Sequence, residues 1–480
     1  MICDDNRQYL AELARHGDMV RIGKEVDWDL EAGAIVRRVC ETGSPVPLME
    51  NIRGYPGFRM SGALLSTYHR LAVALGLDFD TPIPEIGKAY TKRTEGEPIP
   101  PVFVDKNRAP CKENILLGDD VDLFNLPLPM VHDGDGGRYP GTWHIVVARD
   151  PETQDINWGM YRLMAHDRRT MTGLVLPFSD MGKMFYGKCE PKNKALPFAV
   201  AIGPDPLSAM ASSAPASIPE DQFAGMLRGK PVEMVKCETV DLEVPAHSEI
   251  IIEGHLIPNV RLDEGPFGEY VGYRTSPRDK RNVYRVNCIS YRNDAILTMA
   301  NMGMPTDEGQ LLRSFSMALE MERLLKSQGI PITGVYMYPE STHHLVVVGV
   351  KPAYANIATQ IANLVFGSKL SPWFYYVFVV EDDVNIYNWA EVMHTFSTRC
   401  HPVTGIRVYE HGLASPVTPF LETKDRLALK GAQVLFDCTF PLHWDPKIDR
   451  PRLMSFRTGY PEEIVRRVEE SWTAYGYNKV

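Results

Sequence analysis

Three observations predict an α+β protein of more than one domain. The chain has 480 residues, more than one apolar core usually serves. Residues 143–299 read as a succession of short strands joined by turns, the pattern of a largely antiparallel barrel. After residue 305 the pattern becomes one long amphipathic helix, then strands alternating with helices, as in an α/β unit.

Residues 6–16 predict a helix with Leu10, Leu13 and Ala14 on one face, followed by a Gly17-Asp18 turn and a strand over 19–22. A helix over 30–41 capped by Asp29 and a third helix over 69–75 complete a small α/β cap, residues 1–110. The proline-rich stretch 82–101 reads as a boundary or arm, and Leu126-Pro127-Leu128-Pro129 as a stiff extended segment. In the region 111–305, strands are expected at 143–148, 174–176, 198–202, 232–235, 250–253, 282–291 and 295–299. Thr306 caps the long helix, which links the domains over 306–328 with Leu311, Leu312, Phe315, Leu319, Leu324 and Leu325 at helical spacing. The C-terminal region 329–480 carries strands at 334–338, 345–350 and 375–380, helices at 352–365 and 388–398, and a last helix over 462–475. No internal repeat and no low-complexity segment interrupts it.

Apolar content of 44% and charged content of 23% are ordinary for a globular chain. A formal charge of −10 without any basic tract argues against nucleic acid or an anionic membrane as partner and leaves a small molecule. Eight widely spaced cysteines form no CxxC pair, so they read as buried thiols in a reducing compartment. The polar start Met1-Ile2-Cys3-Asp4-Asp5-Asn6-Arg7 and the lack of any apolar run near ~20 residues point to a cytoplasmic protein.

The chemistry-bearing stretch is Arg261-Leu262-Asp263-Glu264-Gly265-Pro266-Phe267-Gly268-Glu269-Tyr270. Two glycines and a proline make the bend stiff, able to hold Glu264 and Glu269 in one pocket. Two carboxylates so placed repel, which raises the pKa of one and leaves an acid beside a base. The same residues equally describe an acidic surface hairpin.

Further motifs stand in order along the chain. They are Asn157-Trp158-Gly159-Met160-Tyr161-Arg162, Met171-Thr172-Gly173-Leu174-Val175-Leu176-Pro177-Phe178-Ser179-Asp180, Ala211-Ser212-Ser213-Ala214-Pro215, and Glu220-Asp221-Gln222-Phe223-Ala224-Gly225. With the acidic bend and the closing Tyr460-Pro461-Glu462, the chain resembles the UbiD family of reversible decarboxylases, which use prenylated FMN. The resemblance implies a split β-barrel flavin-binding domain in the middle region and a C-terminal domain used for self-association, as a dimer or higher homo-oligomer. It implies a catalytic set of Arg162, Glu264 and Glu269, with Arg162 paired to Glu264 and Glu269 giving the proton. It places cofactor contacts at Asn157, Gly159, Met160, Tyr161, Arg162, Ser179, Asp180, Ser212, Ser213, Ala214, Pro215 and Glu220.

The resemblance further implies a divalent metal, Mn²⁺ or Mg²⁺, on Asn157, Asp180 and Glu220, and K⁺ near Trp158, Ala211, Ser212, Ala214 and Glu220. Asp180 stands where relatives have histidine; it is either a hard-cation ligand or a helix cap. Tyr376 stands where the family has a phosphate-contacting lysine, so either Lys369 reaches in or the metal carries more of the binding. Met302, Met304, Phe436 and Phe440 are either a substrate-pocket wall or ordinary core. The implied reaction is non-oxidative decarboxylation of an aromatic, heteroaromatic or α,β-unsaturated acid, with CO₂ as co-product and a flavin prenyltransferase as cofactor supplier. Two other readings are an FMN-dependent reductase and a non-catalytic subunit of a decarboxylase complex. His343, His344 and His394 have no metal-ligand spacing, and no GxSxG, GxGxxG or GxxxxGK[ST] motif occurs.

Overall fold

The computed structural model describes residues 2–215, 218–445 and 447–478. Its architecture is mixed helix and sheet, in three regions that share cores.

The first region is a four-stranded sheet in the order Met19–Ile22, Val46–Met49, Arg59–Gly62 and Ile296–Met299. The last of these, expected in the barrel, instead pairs parallel to Arg59–Gly62 and ties the first region to the second. Helix Asn6–Arg15 begins at Asp5, whose carboxylate accepts from Gln8 N. Helix Glu31–Thr42 is not capped by Asp29; the chain enters through Leu30 at φ +67°, and Glu31 reaches back to accept from Asp27 N. The stretch 82–101 is not simply an arm, because Ile83–Thr94 is helical. Pro84 sits in the first turn, where its missing N–H costs nothing.

The second region is built on an eight-stranded sheet whose path runs Ile156–Gly159, His144–Arg149, Leu196–Ile202, Ile250–Glu264, Asp279–Tyr291, Thr170–Gly173 and Leu163–Asp167. Asn114–Leu117 adds to Asp279–Tyr291, and every pairing is antiparallel. The barrel does not close: among the described residues no pairing joins the two end strands, and Leu163 bridges instead to Gly141, ahead of His144–Arg149. Those end strands are consecutive in the chain, so Met160, Tyr161 and Arg162 span the opening. The expected strand 174–176 is absent. The ladder to Asp279–Tyr291 ends where Gly173 meets Asn282, and the chain leaves toward helix Asp180–Met184. The expected strand 232–235 forms as Glu233–Lys236, but in a separate sheet with Val102–Phe103 and Glu243–Pro245.

The linker helix spans Glu308–Ser327. Its cap is Asp307, not Thr306, in a reciprocal pair with Gln310. Leu311, Leu312 and Phe315 share a core with Leu71 of the first region and Ile145 and Ala199 of the large sheet. The third region is a five-stranded sheet in the order Ile332–Met337, Leu345–Val350, Tyr376–Glu381, Lys430–Cys438 and Ile406–Leu413, with helices Ile357–Phe366 and Trp389–Arg399. The last helix, Glu462–Glu470, stops short of Tyr475; Trp472 stacks on Tyr477 at 4.3 Å as the chain folds back. Among the described residues no helix is long and apolar enough to cross a membrane.

Candidate active site

The acidic bend lies at the end of the longest strand, Ile250–Glu264, which delivers Glu264 fully buried. The chain then turns through Gly265 at φ +79°, a conformation glycine adopts without steric cost. Loop 132–137 grips the bend backbone to backbone. Gly136 N donates to Pro266 O at 2.7 Å, and a Cβ on Gly136 would stand 2.0 Å from Gly265 O. Asp135 accepts from Gly268 N at 3.0 Å and lies 2.9 Å from His132 Nδ1. His132 Nε2 lies 2.8 Å from both Asn301 Oδ1 and Met302 O, so the loop, the bend and residues 301–302 form one braced unit. The surface-hairpin alternative is excluded by this burial.

Arg162 enters from the opening in the sheet. Its Nε and Nη2 donate to the two oxygens of Glu264 at 3.0 and 2.9 Å, a planar bidentate pair. Its Nη1 also contacts Glu269, so one guanidinium serves both acids. Tyr139, fully buried, donates to Glu264 Oε1 at 3.0 Å, and the Phe267 ring lies 5.6 Å from Arg162 Cζ. Burial opposes the charge on Arg162, but the two carboxylates outweigh it and hold the guanidinium pKa above its usual value. Burial raises the Glu269 carboxyl; Arg162 offsets part of this, and the charge of Glu264 adds to it. The result is a permanently charged guanidinium beside an acid that keeps its proton more readily than an exposed carboxyl.

A second group lies on the same cavity. Asn157 comes from strand Ile156–Gly159, and Glu220 opens helix Glu220–Arg228 and accepts from Trp158 N at 2.9 Å. Asp180 is the first residue of helix Asp180–Met184 but not its cap. Ser179 does that work, accepting from Gly182 N at 3.1 Å. The Asp180 side chain is 65% exposed and pairs with Lys183 at 2.8 Å. Burial pushes Glu220 up to about 7, and the charge of Asp180 contributes. Among the described residues, Asn157 Nδ2 and Trp158 Nε1 are buried without hydrogen-bond partners. Unpartnered polar atoms beside a reluctant carboxylate fit a site completed by a ligand. Two carboxylates and an amide suit a hard divalent cation, which would keep Glu220 ionised.

The cavity measures about 370 Å³ and is lined by Asn157, Trp158, Gly159, Met160, Tyr161, Arg162, Ser179, Asp180, Ser212, Ser213, Ala214, Glu220, Glu269 and Met302 among the expected residues. Glu264 stands behind Arg162. Ser212 and Ser213 spend their hydroxyl protons on Ala209 O and Met210 O. Ala211 is buried within its helix, away from the lining, and Pro215 faces a separate cavity beside the linker helix.

Four other expectations fail on position. Met304 is 61% exposed and does not reach the cavity. Phe436 packs against Phe378 and Phe396 in the core of the third region, at 4.8 and 5.3 Å. Phe440 lies between the guanidinium groups of Arg399 and Arg450, at 4.8 and 4.9 Å. Tyr376 sits 37% exposed at the start of its strand and does not line the cavity, nor does Lys369.

From the third region the cavity instead receives Trp373, Ser415, Pro416 and Val417, and from the linker helix Arg313. Reading the sequence also missed Tyr139, the His132–Asp135 brace and His144, whose pKa burial pushes down to about 4. Arg313 had a signal: a cation beside Leu311 and Leu312 in the apolar run of a helix. Tyr139 had none, since its partner Glu264 lies more than a hundred residues away, and the His132–Asp135 pair is tied to the site only through the equally distant Gly268 and Asn301.

Comparison with known proteins bears on this geometry. Three family models match: the 3-octaprenyl-4-hydroxybenzoate carboxy-lyase N-terminal domain over residues 10–90, the Rift-related domain over 102–305 and the C-terminal domain over 310–438. Ferulic acid decarboxylase 1 of Saccharomyces cerevisiae is 32% identical, with 98% of each chain covered. Pyrrole-2-carboxylic acid decarboxylase of Pseudomonas aeruginosa is 31% identical, again with 98% of each covered. Vanillic acid decarboxylase of Sedimentibacter hydroxybenzoicus in closed form superimposes with a TM-score of 0.88 at 28% identity, with 100% of both chains covered. An evolved dimeric form of the UbiD-class enzyme HmfF from Pelotomaculum thermopropionicum, in complex with prFMN, gives 0.79 at 28%, covering 94% of this chain and 97% of that one.

Proposed function

The chain belongs to the UbiD family, and from that premise we propose that it catalyses reversible, non-oxidative decarboxylation of an aromatic, heteroaromatic or α,β-unsaturated carboxylic acid with prenylated FMN, Glu269 giving the proton. The observation that carries the assignment of roles is the shared guanidinium: Arg162 holds Glu264 by two bonds and touches Glu269 at the mouth of the cavity.

When bound, prenylated FMN supplies the electron sink for the pair left on an sp² carbon as CO₂ departs. The chain supplies the rest. Glu264, fixed by Tyr139 and the bidentate pair, orients Arg162 toward the substrate carboxylate. Glu269, its pKa raised by burial, delivers a proton to the carbon that lost CO₂ and takes one back in carboxylation. Phe267, Tyr270, Val417 and Trp373 keep water from that carbon. Asn157, Asp180 and Glu220 would hold Mn²⁺ or Mg²⁺ against the cofactor phosphate, with K⁺ near Trp158, Ser212 and Ala214; the Asp180–Lys183 pair opens for this. Trp158, Gly159, Met160 and Tyr161 would flank the flavin, and Met302 the substrate. The third region serves self-association.

A reductase or a non-catalytic subunit is not favoured, since decarboxylases cover 98% of the chain. The test is to express the protein with a flavin prenyltransferase, supply manganese and potassium without oxygen, identify the bound flavin by mass, and measure CO₂ from a panel of acids. Bound prenylated FMN with CO₂ release is expected; a loaded protein that releases none from any acid contradicts the reading.

A further inference from the structure

Arg162 is not the only guanidinium on the cavity. Arg313, on the linker helix, lines it too, and its surroundings differ in kind. Among the described residues it meets no carboxylate and no hydrogen-bond acceptor; its Cζ lies 5.6 Å from the Tyr270 ring and 5.3 Å from the Trp373 ring. Ring faces hold a guanidinium through its π surface and leave its N–H donors free. A charged fork fixed in place with its donors unspent is a preformed anion site.

The fold fixes this position from two sides. Gln310 of the helix cap donates to Tyr270 O at 2.6 Å and to Gly303 O at 2.8 Å, which ties the first turn of the helix to the acidic bend. Arg313 lies three residues on, on the same face. Tyr270 is held in turn by Ser415 Oγ at 3.0 Å, and Trp373 packs with Tyr270, Val271 and Val417. The ring partner of Arg313, Tyr270, follows Glu269 directly in the chain, and Arg313 is close enough to lower the pKa of Glu269 against the effect of burial. It therefore belongs to the reacting end of the cavity rather than to the oxygen-donor end.

We propose that Arg313 binds a second carboxylate on the substrate, so that the favoured substrates are aromatic or heteroaromatic dicarboxylic acids, one carboxylate leaving as CO₂ beside Arg162 while the other stays on Arg313. This rests on the decarboxylase reading and narrows its substrate class.

The test uses the flavin-loaded protein and pairs of equal shape: terephthalate against 4-methylbenzoate, and isophthalate against 3-methylbenzoate. Equilibrium binding is read by titration calorimetry on protein loaded with plain FMN, which lacks the electron sink and so does not turn the acids over; CO₂ release from monoacids by the prenylated-FMN protein tests the broader reading separately. A charge-assisted bidentate contact predicts that one diacid binds roughly 10- to 100-fold tighter than its methyl partner. Arg313→Met erases that difference while the affinity for the methyl acid and the flavin content stay unchanged, and Arg313→Lys restores part of it. Equal affinities within both pairs in the unaltered protein overturn the proposal. So does an Arg313→Met protein that loses its flavin, which assigns the guanidinium to the cofactor, or one in which both affinities fall together, which assigns it to the shape of the wall. Should Arg313→Met fail to fold, salt dependence decides: the diacid preference shrinks between 50 and 500 mM chloride in the unaltered protein, and a preference indifferent to salt overturns the proposal.

Discussion

The two ends of the cavity are built on opposite principles. At the acidic bend the strong polar groups are matched within the chain, Arg313 opposite it being the exception: Arg162 by two carboxylates, Glu264 by Tyr139, Gly268 N by Asp135, His132 by Asp135 and Asn301. At the oxygen-donor end, Asn157 Nδ2 and Trp158 Nε1 are orphaned, Glu220 is pushed up to about 7, and Asp180 is turned to solvent on Lys183. The first end is preorganised by folding; the second waits for something to bind. Catalytic groups must be positioned before substrate arrives, whereas a cofactor site can store unpaired polarity that binding relieves.

The largest effect that would break this comparison is on Arg162. Arg162→Met leaves two buried carboxylates without a cation and should cost about 3–5 kcal/mol of stability, with turnover lost. Urea unfolding of the cofactor-free protein checks it, and a cost below about 1 kcal/mol would show that the bend is not held as described.

Next comes a matched pair. Glu264→Gln should destabilise the cofactor-free protein by about 1–3 kcal/mol, because a charged partner of Arg162 is lost. Glu220→Gln should leave its Tm unchanged or raised, since it removes a carboxylate that burial disfavours, yet lower cofactor retention by roughly tenfold or more. Thermal scans with flavin absorbance separate the two, and equal destabilisation would erase the distinction.

A third prediction concerns pH. The Glu269 pKa lies above the ordinary carboxyl value of 4.5, so the folded chain holds a proton there that the unfolded chain has released. Proton donation should therefore persist as pH rises past 4.5 and decline only through the raised value; this site's contribution to stability falls over the same window. Glu264→Gln removes the like charge and should move the alkaline limb of kcat downward. A limb that stays in place would disconnect the two acids.

The smallest effect is at Asp180. Asp180→Ala should change stability by less than about 1 kcal/mol, the worth of an exposed ion pair, while weakening Mn²⁺ retention measured by metal analysis. Asp180→His should hold the metal and accept softer ions more readily.

Local pattern carried the long elements and the stretch that matters most. The spacing of Glu264 and Glu269 around Gly-Pro-Phe-Gly is chemistry written in ten consecutive residues, and the long helix announced itself by period. What failed depended on pairing at a distance. Residues 174–176 look like a strand, but the chain turns away after Gly173, although its neighbour Asp279–Tyr291 runs on past Asn282 to Asp279. Ile296–Met299 is a strand in the wrong sheet, because its partner is Arg59–Gly62. Phe436 and Phe440 have the composition of a pocket wall and occupy a different core. Tyr139 reaches the site through a contact that no window of sequence contains, whereas Arg313 was visible as a cation in an apolar helical run and went unread.

The roles at the acidic bend come down to which group hands a proton to the substrate. With prenylated-FMN-loaded protein in D₂O, one deuteron should appear at the carbon that lost CO₂. The Glu269→Gln protein, keeping its flavin, should give no deuterated product above a rate lower by roughly 10²–10⁴. A Glu269→Gln protein that deuterates product at the unaltered rate would contradict this role of Glu269.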